Sequence, residues 1–162
     1  LKEVLGDRTL KYVFISHFES DECGGLSLLR KDFPEAMVIC SEITARQLTG
    51  FGITNQTIVK RPGEKLISSD YELEFISYPS EMHLWEGLLL LENKRGIFFS
   101  SDLLFGMGEA NGEIVSGNWQ KEVESITLAQ IPDTEQRAKV QQVLSKFNPK
   151  FAAVGHGKCL EF

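Results

Sequence analysis

Residues 12–25, Tyr-Val-Phe-Ile-Ser-His-Phe-Glu-Ser-Asp-Glu-Cys-Gly-Gly, constrain this chain more than any other stretch. Tyr12, Val13, Phe14 and Ile15 are strong strand formers with polar flanks, so Leu10 to Ser16 reads as a buried strand. The run ends in His17, Glu19 and Asp21 on alternate positions, with Glu22 and Cys23 crowded behind them. In an extended segment alternate residues project to one side, so the imidazole and two carboxylates are expected to converge at the end of the strand. Gathering carboxylates together is costly unless a cation compensates them. A metal ion answers both demands.

The histidine count supports this. The chain has three, His17, His83 and His156, and each lies at or just beyond the end of an expected strand. His83 sits in Tyr-Pro-Ser-Glu-Met-His-Leu-Trp-Glu-Gly and His156 in Ala-Val-Gly-His-Gly-Lys; Asp102 follows Gly-Ile-Phe-Phe-Ser-Ser in the same manner. Taken singly, each has a plainer reading: a loop histidine is usually a surface group, and an aspartate after a strand is usually a turn or cap residue. Taken jointly, strand ends that all carry ligand-type residues fit one cleft at one edge of a sheet.

The 162 residues suit one domain with one core, residues 1–162. Net charge is −6 with no basic run, which excludes a nucleic-acid partner. The longest apolar run, Gly87 to Leu91, is far too short to span a bilayer, so no membrane partner is expected. Cys23, Cys40 and Cys159 are odd in number and irregularly spaced, which points to a reducing, cytoplasmic setting rather than a disulfide framework. The chain begins at Leu1 rather than Met, so it is expected to be a piece of a longer protein.

Further along, Leu26 to Leu29 starts a short helix that ends before Pro34, and Met37 to Cys40 is a second buried strand. Ser41 is placed to cap a helix through Leu48, with Gly50 ending it. Thr57 to Lys60 and Tyr71 to Tyr78 suit strands. Gly87 to Glu92 and Gly96 to Ser100 flank the turn signal Asn-Lys-Arg-Gly. Gly106 to Gly117 reads as a glycine-rich loop, a candidate lid or docking surface, followed by a helix over Trp119 to Leu128. A second helix starts near Asp133, where Asp133 and Gln136 form a capping-box pattern, and its apolar face is Val140, Val143, Leu144 and Phe147. Phe151 to Val154 is a last short strand. The alternation favours a layered α/β domain with a mixed sheet.

The segments His-Phe-Glu-Ser-Asp-Glu-Cys-Gly, Pro-Ser-Glu-Met-His, Phe-Phe-Ser-Ser-Asp-Leu-Leu-Phe-Gly and Val-Gly-His-Gly, in that order, resemble the metallo-β-lactamase superfamily and its flavodiiron branch in particular. The branch signal is Glu19, where zinc hydrolases of the superfamily carry histidine. The resemblance implies an αββα sandwich, expected here to lack its N-terminal strands. It also implies two iron ions. His17, Glu19 and His83 would hold one, Asp21 and His156 the other, and Asp102 would bridge them. The family pattern has histidine where this chain has Glu22, which either ligates as a carboxylate or points away. Tyr78, Trp85 and Phe105 are candidate pocket residues, against the plainer reading of core packing, and Cys23 and Cys159 are candidate redox groups.

Carboxylates and imidazoles together suit iron or manganese better than zinc. The implied function is a non-haem di-iron protein that binds O2, or NO, at a ferrous pair, as an oxygen reductase or an oxygen sensor. Two metals about 4 Å apart would clamp such a diatomic between them. No FMN is expected on this chain. Electrons would come from a flavodoxin- or rubredoxin-like donor, or a signalling partner would read the bound state, and a homodimer is expected because flavodiiron relatives commonly pair head to tail. The alternative is a zinc-dependent hydrolase of esters, thioesters or lactams, in which a metal-bound hydroxide is the nucleophile.

Overall fold

A computed structural model describes residues 1–53, 56–80 and 85–162, with the side chains of 80, 85 and 86 outside the description. The chain divides into two compact units, Leu1–Lys60 and Arg61–Phe162.

The first unit alternates strand and helix. After the short helix α1 (Lys2–Leu5) come β1 (Tyr12–Phe14), α2 (Ser20–Cys23), α3 (Leu26–Asp32), β2 (Met37–Cys40), α4 (Glu42–Gly50) and β3 (Thr57–Val59). The strands form a parallel sheet in the order β1-β2-β3, with Val13 opposite Val38 and Ile39 opposite Ile58. Parallel neighbours need a crossover, which α2 with α3 and then α4 supply. The central strand reads as an unbroken apolar run because both its faces are covered: Val38, Ile39 and Cys40 are all buried. Val38 and Cys40 join Ile15, Cys23, Leu26 and Leu48 in one cluster.

Helix α4 starts as its sequence suggests, the Ser41 hydroxyl accepting the Thr44 N–H at 3.2 Å. It stops differently. Gly50 is its last helical residue, and the turn is made two residues later by Gly52 at φ 76°. Gly52 N–H donates to Thr49 O at 3.0 Å and Ile53 N–H to Leu48 O at 2.9 Å, the paired bonds of a Schellman ending. Ile53 and Leu48 then pack in the same cluster.

The second unit holds β4 (Lys65–Ile67), β5 (Glu72–Ser80), β6 (Trp85–Glu92), β7 (Ile97–Phe99), β8 (Ile114–Ser116), α5 (Trp119–Glu124), α6 (Thr134–Leu144), β9 (Phe151–Ala153) and β10 (Cys159–Glu161). Its mixed sheet runs β4-β5-β6-β7-β9-β10-β8. The first three pairings are antiparallel, whereas β7–β9 and β10–β8 are parallel. The Asn93–Gly96 turn joins β6 to β7 as expected, with Glu92 paired to Ile97. Leu88 to Leu91 are buried on both faces of the sheet, which explains their unbroken apolar run. Leu89 and Leu91 face a cluster that includes Trp119, Val123, Val140 and Leu144. Trp119 Nε1–H donates to Leu144 O at 3.1 Å, tying the start of α5 to the end of α6.

The second unit departs from the sequence reading in several places. The Gly106–Gly117 stretch contains β8, which pairs with β10 through Ile114 and Cys159. All three β8 residues are exposed, so no burial pattern announces it. Helix α5 ends at Glu124 instead of Leu128. On α6, Val140 and Leu144 are buried, Val143 stays 38 % exposed, and Phe147 packs on the cluster from beyond the helix end.

Candidate functional site

In the first unit, β1 stops at Phe14, and Ile15 N–H still donates to Ile39 O at 2.9 Å. Ser16 and His17 follow, both buried, at 3 % and 1 % exposure. The extended path ends at Glu19, which has φ −134° and ψ 162° and stands at the N-cap of α2. Asp21 and Glu22 lie on that helix, so the extended alternation joins His17 to Glu19 only, and Asp21 leaves that line, unlike the expected convergence of all three. Asp21 is exposed on α2 and Glu22 half-buried.

His17 and Glu19 come together, with His17 Nε2 3.7 Å from Glu19 Oε2. That is too long for a hydrogen bond. It is close to the separation of two donors on one ion, whose metal–ligand bonds of about 2.0–2.2 Å put neighbouring donors about 3–3.6 Å apart. The other ring nitrogen, Nδ1, lies 3.0 Å from Ser16 Oγ, and the Ser16 hydroxyl donates to Glu22 Oε2 at 3.0 Å. Glu22 is therefore joined to His17 through Ser16, a residue that carries no functional signal in the sequence. Behind them, the Cys23 thiol donates to Glu19 O at 2.9 Å. Burial, followed by the charges of Glu22 and Asp21, pushes this thiol up from its ordinary value.

In the second unit, Asp102 and His156 come together at the ends of the paired strands β7 and β9, with His156 Nε2 3.5 Å from Asp102 Oδ1. The parallel pairing continues past the strands: Ser100 N–H donates to Ala153 O at 3.0 Å, and Gly155 N–H to Ser101 O at 2.9 Å. Ser101 has φ 47°, a left-handed turn that non-glycine residues rarely make. Both glycines of Gly-His-Gly are required. A Cβ on Gly155 would lie 2.9 Å from Asp102 Oδ1, and one on Gly157, at φ 96°, would lie 2.8 Å from Gly106 O.

Of the candidate pocket residues, Phe105 meets His156 edge-on, with ring centroids 6.4 Å apart. It also lines a cavity of about 290 Å³ with Met107, Val115 and Leu160. Tyr78 is buried in the hydrophobic cluster of the second unit. His83 and the side chain of Trp85 lie outside the described residues. The cysteines are unpaired; Cys40 is fully buried, and burial pushes its thiol up to about 12.

The two pairs are alike in chemistry: each offers one imidazole nitrogen and one carboxylate oxygen. A family model described as "ODP family beta lactamase" matches residues 1–157. The chain belongs to this family. Among solved structures, it superposes on the metal-soaked Flv1 flavodiiron core from Synechocystis sp. PCC6803 with a TM-score of 0.75 at 21 % identity, covering 94 % of this chain and 40 % of that one. It superposes on rubredoxin oxygen:oxidoreductase from Desulfovibrio gigas with a TM-score of 0.72 at 17 % identity, covering 93 % and 40 %. A curated relative from Nostoc sp. (strain PCC 7120 / SAG 25.82 / UTEX 2576), "Putative diflavin flavoprotein A 2", is 28 % identical over 109 residues, 66 % of this chain and 18 % of the relative. This ODP-family chain thus has the metallo-β-lactamase-like fold of flavodiiron cores, as its motifs suggested, and it spans well under half the length of these relatives. No described helix is long and apolar enough to cross a membrane.

Proposed function

We propose that this chain is a non-haem di-iron protein whose ligand is O2, or NO, and that its two units work as one domain. In this reading His17, Glu19 and His83 would hold one iron and Asp21 and His156 the other, with Asp102 contributing to both. The reading is supported by membership of the ODP family, by the likeness to flavodiiron cores, and above all by the 3.7 Å spacing of His17 Nε2 and Glu19 Oε2. A similar spacing, 3.5 Å, separates His156 Nε2 from Asp102 Oδ1. The donor set, imidazole nitrogen with carboxylate oxygen and no thiolate, fits iron or manganese better than a sulfur-rich set would.

A ferrous pair would supply electrons and open coordination positions for a diatomic ligand. The chain's residues hold and shield that position. Glu19 and Asp102 bring negative charge to balance the cations. Phe105, edge-on to His156, presents apolar surface beside it. The glycines flanking His156 let the β9 end pack directly on the Asp102 turn.

Reductase and sensor are two uses of this one site. A reductase needs a rapid electron donor of the flavodoxin or rubredoxin type. A sensor needs a partner that reads the occupied state. The three unpaired cysteines support a reducing, cytoplasmic setting, and a homodimer is the assembly we expect. Anaerobic metal analysis tests the centre: two irons per chain are expected, and one or two zinc ions with ester hydrolysis would establish the hydrolase instead. Adding O2 to the reduced protein separates the two uses. A persistent spectral change supports sensing, and rapid return with steady consumption of donor supports reduction.

A further inference from the structure

We infer that Glu22 and Ser16 are positioning residues that fix the tautomer of His17, and that Glu22 is not itself a metal ligand. This rests on the metal reading of His17 given above. A carboxylate has no proton to give, so the 3.0 Å contact between Ser16 Oγ and Glu22 Oε2 uses the serine's only hydrogen. Ser16 Oγ is then left as an acceptor toward His17 Nδ1, also at 3.0 Å. That contact is satisfied only when Nδ1 carries the imidazole proton. The lone pair of the neutral ring is therefore on Nε2, the atom that lies 3.7 Å from Glu19 Oε2. The chain Glu22, Ser16, His17 thus aims the ring's basic nitrogen at the position a metal would take, as carboxylates behind metal-bound histidines do.

Burial makes this relay matter. Ser16 and His17 are 3 % and 1 % exposed, so water is poorly placed to substitute for either bond. Helix α2 supplies the lever. Glu19 stands at its N-cap and Glu22 falls three residues later, on the same side of the first turn. One helix end therefore sends one carboxylate toward Nε2 and another, through Ser16, toward Nδ1. The acid at position 22 is thereby accounted for without a metal bond.

The test uses the full chain at one fixed, near-neutral pH. Nitrogen-15 NMR of the metal-free protein reads the His17 tautomer directly. Anaerobic titration with ferrous ion reads affinity and stoichiometry. We expect wild-type His17 to be protonated on Nδ1. Glu22→Ala and Ser16→Ala should lose that preference and weaken metal binding by about 10–100-fold with stoichiometry unchanged. Glu22→Gln keeps an acceptor for Ser16 and should keep both the tautomer and most of the affinity. Should Ser16→Ala fail to fold, the two Glu22 variants make the comparison alone. The inference is overturned if wild-type His17 carries its proton on Nε2. It is equally overturned if Glu22→Ala loses one metal per chain while the tautomer stays as it was, since Glu22 would then be a ligand. If the wild type binds no metal, the reading of the centre fails, while the tautomer spectrum still decides whether the relay exists.

Discussion

Gly155 packs so tightly against Asp102 that a methyl group on its Cα would sit 2.9 Å from the carboxylate oxygen Oδ1. The same Cβ would also lie 3.0 Å from the Ser101 carbonyl oxygen, which accepts the Gly155 N–H. Gly155→Ala must therefore move Asp102 or the β9 end. We expect a loss of about 1–3 kcal/mol in stability, the usual cost of overpacking, together with weaker ferrous binding in anaerobic titration. Unchanged affinity would show that Asp102 is not held for a metal.

Metal removal should itself destabilise the protein. Glu19, Asp21 and Glu22 are three acids within four residues of the first unit whose repulsion a bound cation would relieve, and any ligand that binds only the folded chain raises its stability. Thermal unfolding under anaerobic conditions should show a lower midpoint with chelator than without. An unchanged midpoint counts against a metal that contributes to folding.

Glu92 is a buried carboxylate at the β6–β7 turn. It accepts the N–H of Arg95 at 2.8 Å and those of Glu72 and Lys94 at 3.2 Å each. Burial alone would raise its pKa, but the three backbone donors and the charge of Arg95 together lower it. A lowered folded-state pKa means that the stabilisation is complete above the ordinary glutamate range and is lost as pH falls through the lowered value. Glu92→Ala removes the acceptor that three backbone N–H groups share at this turn and should cost about 1–3 kcal/mol at neutral pH by denaturant unfolding. Glu92→Gln should cost less, and its deficit relative to wild type should shrink in acid. A deficit independent of pH would refute the ionic account.

The two glycines near the end of α4 should respond in opposite directions. Gly52 sits at φ 76°, so Gly52→Ala is expected to destabilise by about 1 kcal/mol or more. Gly50 is helical with open space around its Cα, so Gly50→Ala should be neutral or stabilise by up to about 1 kcal/mol. Unfolding midpoints of the pair check this, and equal effects would contradict the assigned helix ending.

Thiol labelling should divide the cysteines. Cys159 is partly accessible, whereas Cys23 and Cys40 are buried, with their thiols pushed up by burial. At neutral pH one thiol per native chain should react quickly and the other two only on unfolding. Rapid labelling of Cys23 would revive a redox role for it.

Much of this protein was determined locally, by residues acting on their neighbours in sequence. The β-branched and aromatic run at Tyr12–Phe14 made a strand, and Ser41 and Asp133 capped the helices that follow them. The positions of His17, Asp102 and His156 just past strand ends were also legible, because strands announce their own limits. Tertiary structure decided what depends on partners distant in the chain. β8 exists because β10, more than forty residues later, pairs with it, and its exposed residues carry no periodic burial to betray that. The turn from extended chain to helix at Glu19 took Asp21 off the line of His17. It also set Glu22 within reach of Ser16, a bond that depends on the exact path of the backbone. Residue types and spacing determine which groups are able to bind a metal; only three-dimensional packing decides which nitrogen of His17 is turned toward Glu19.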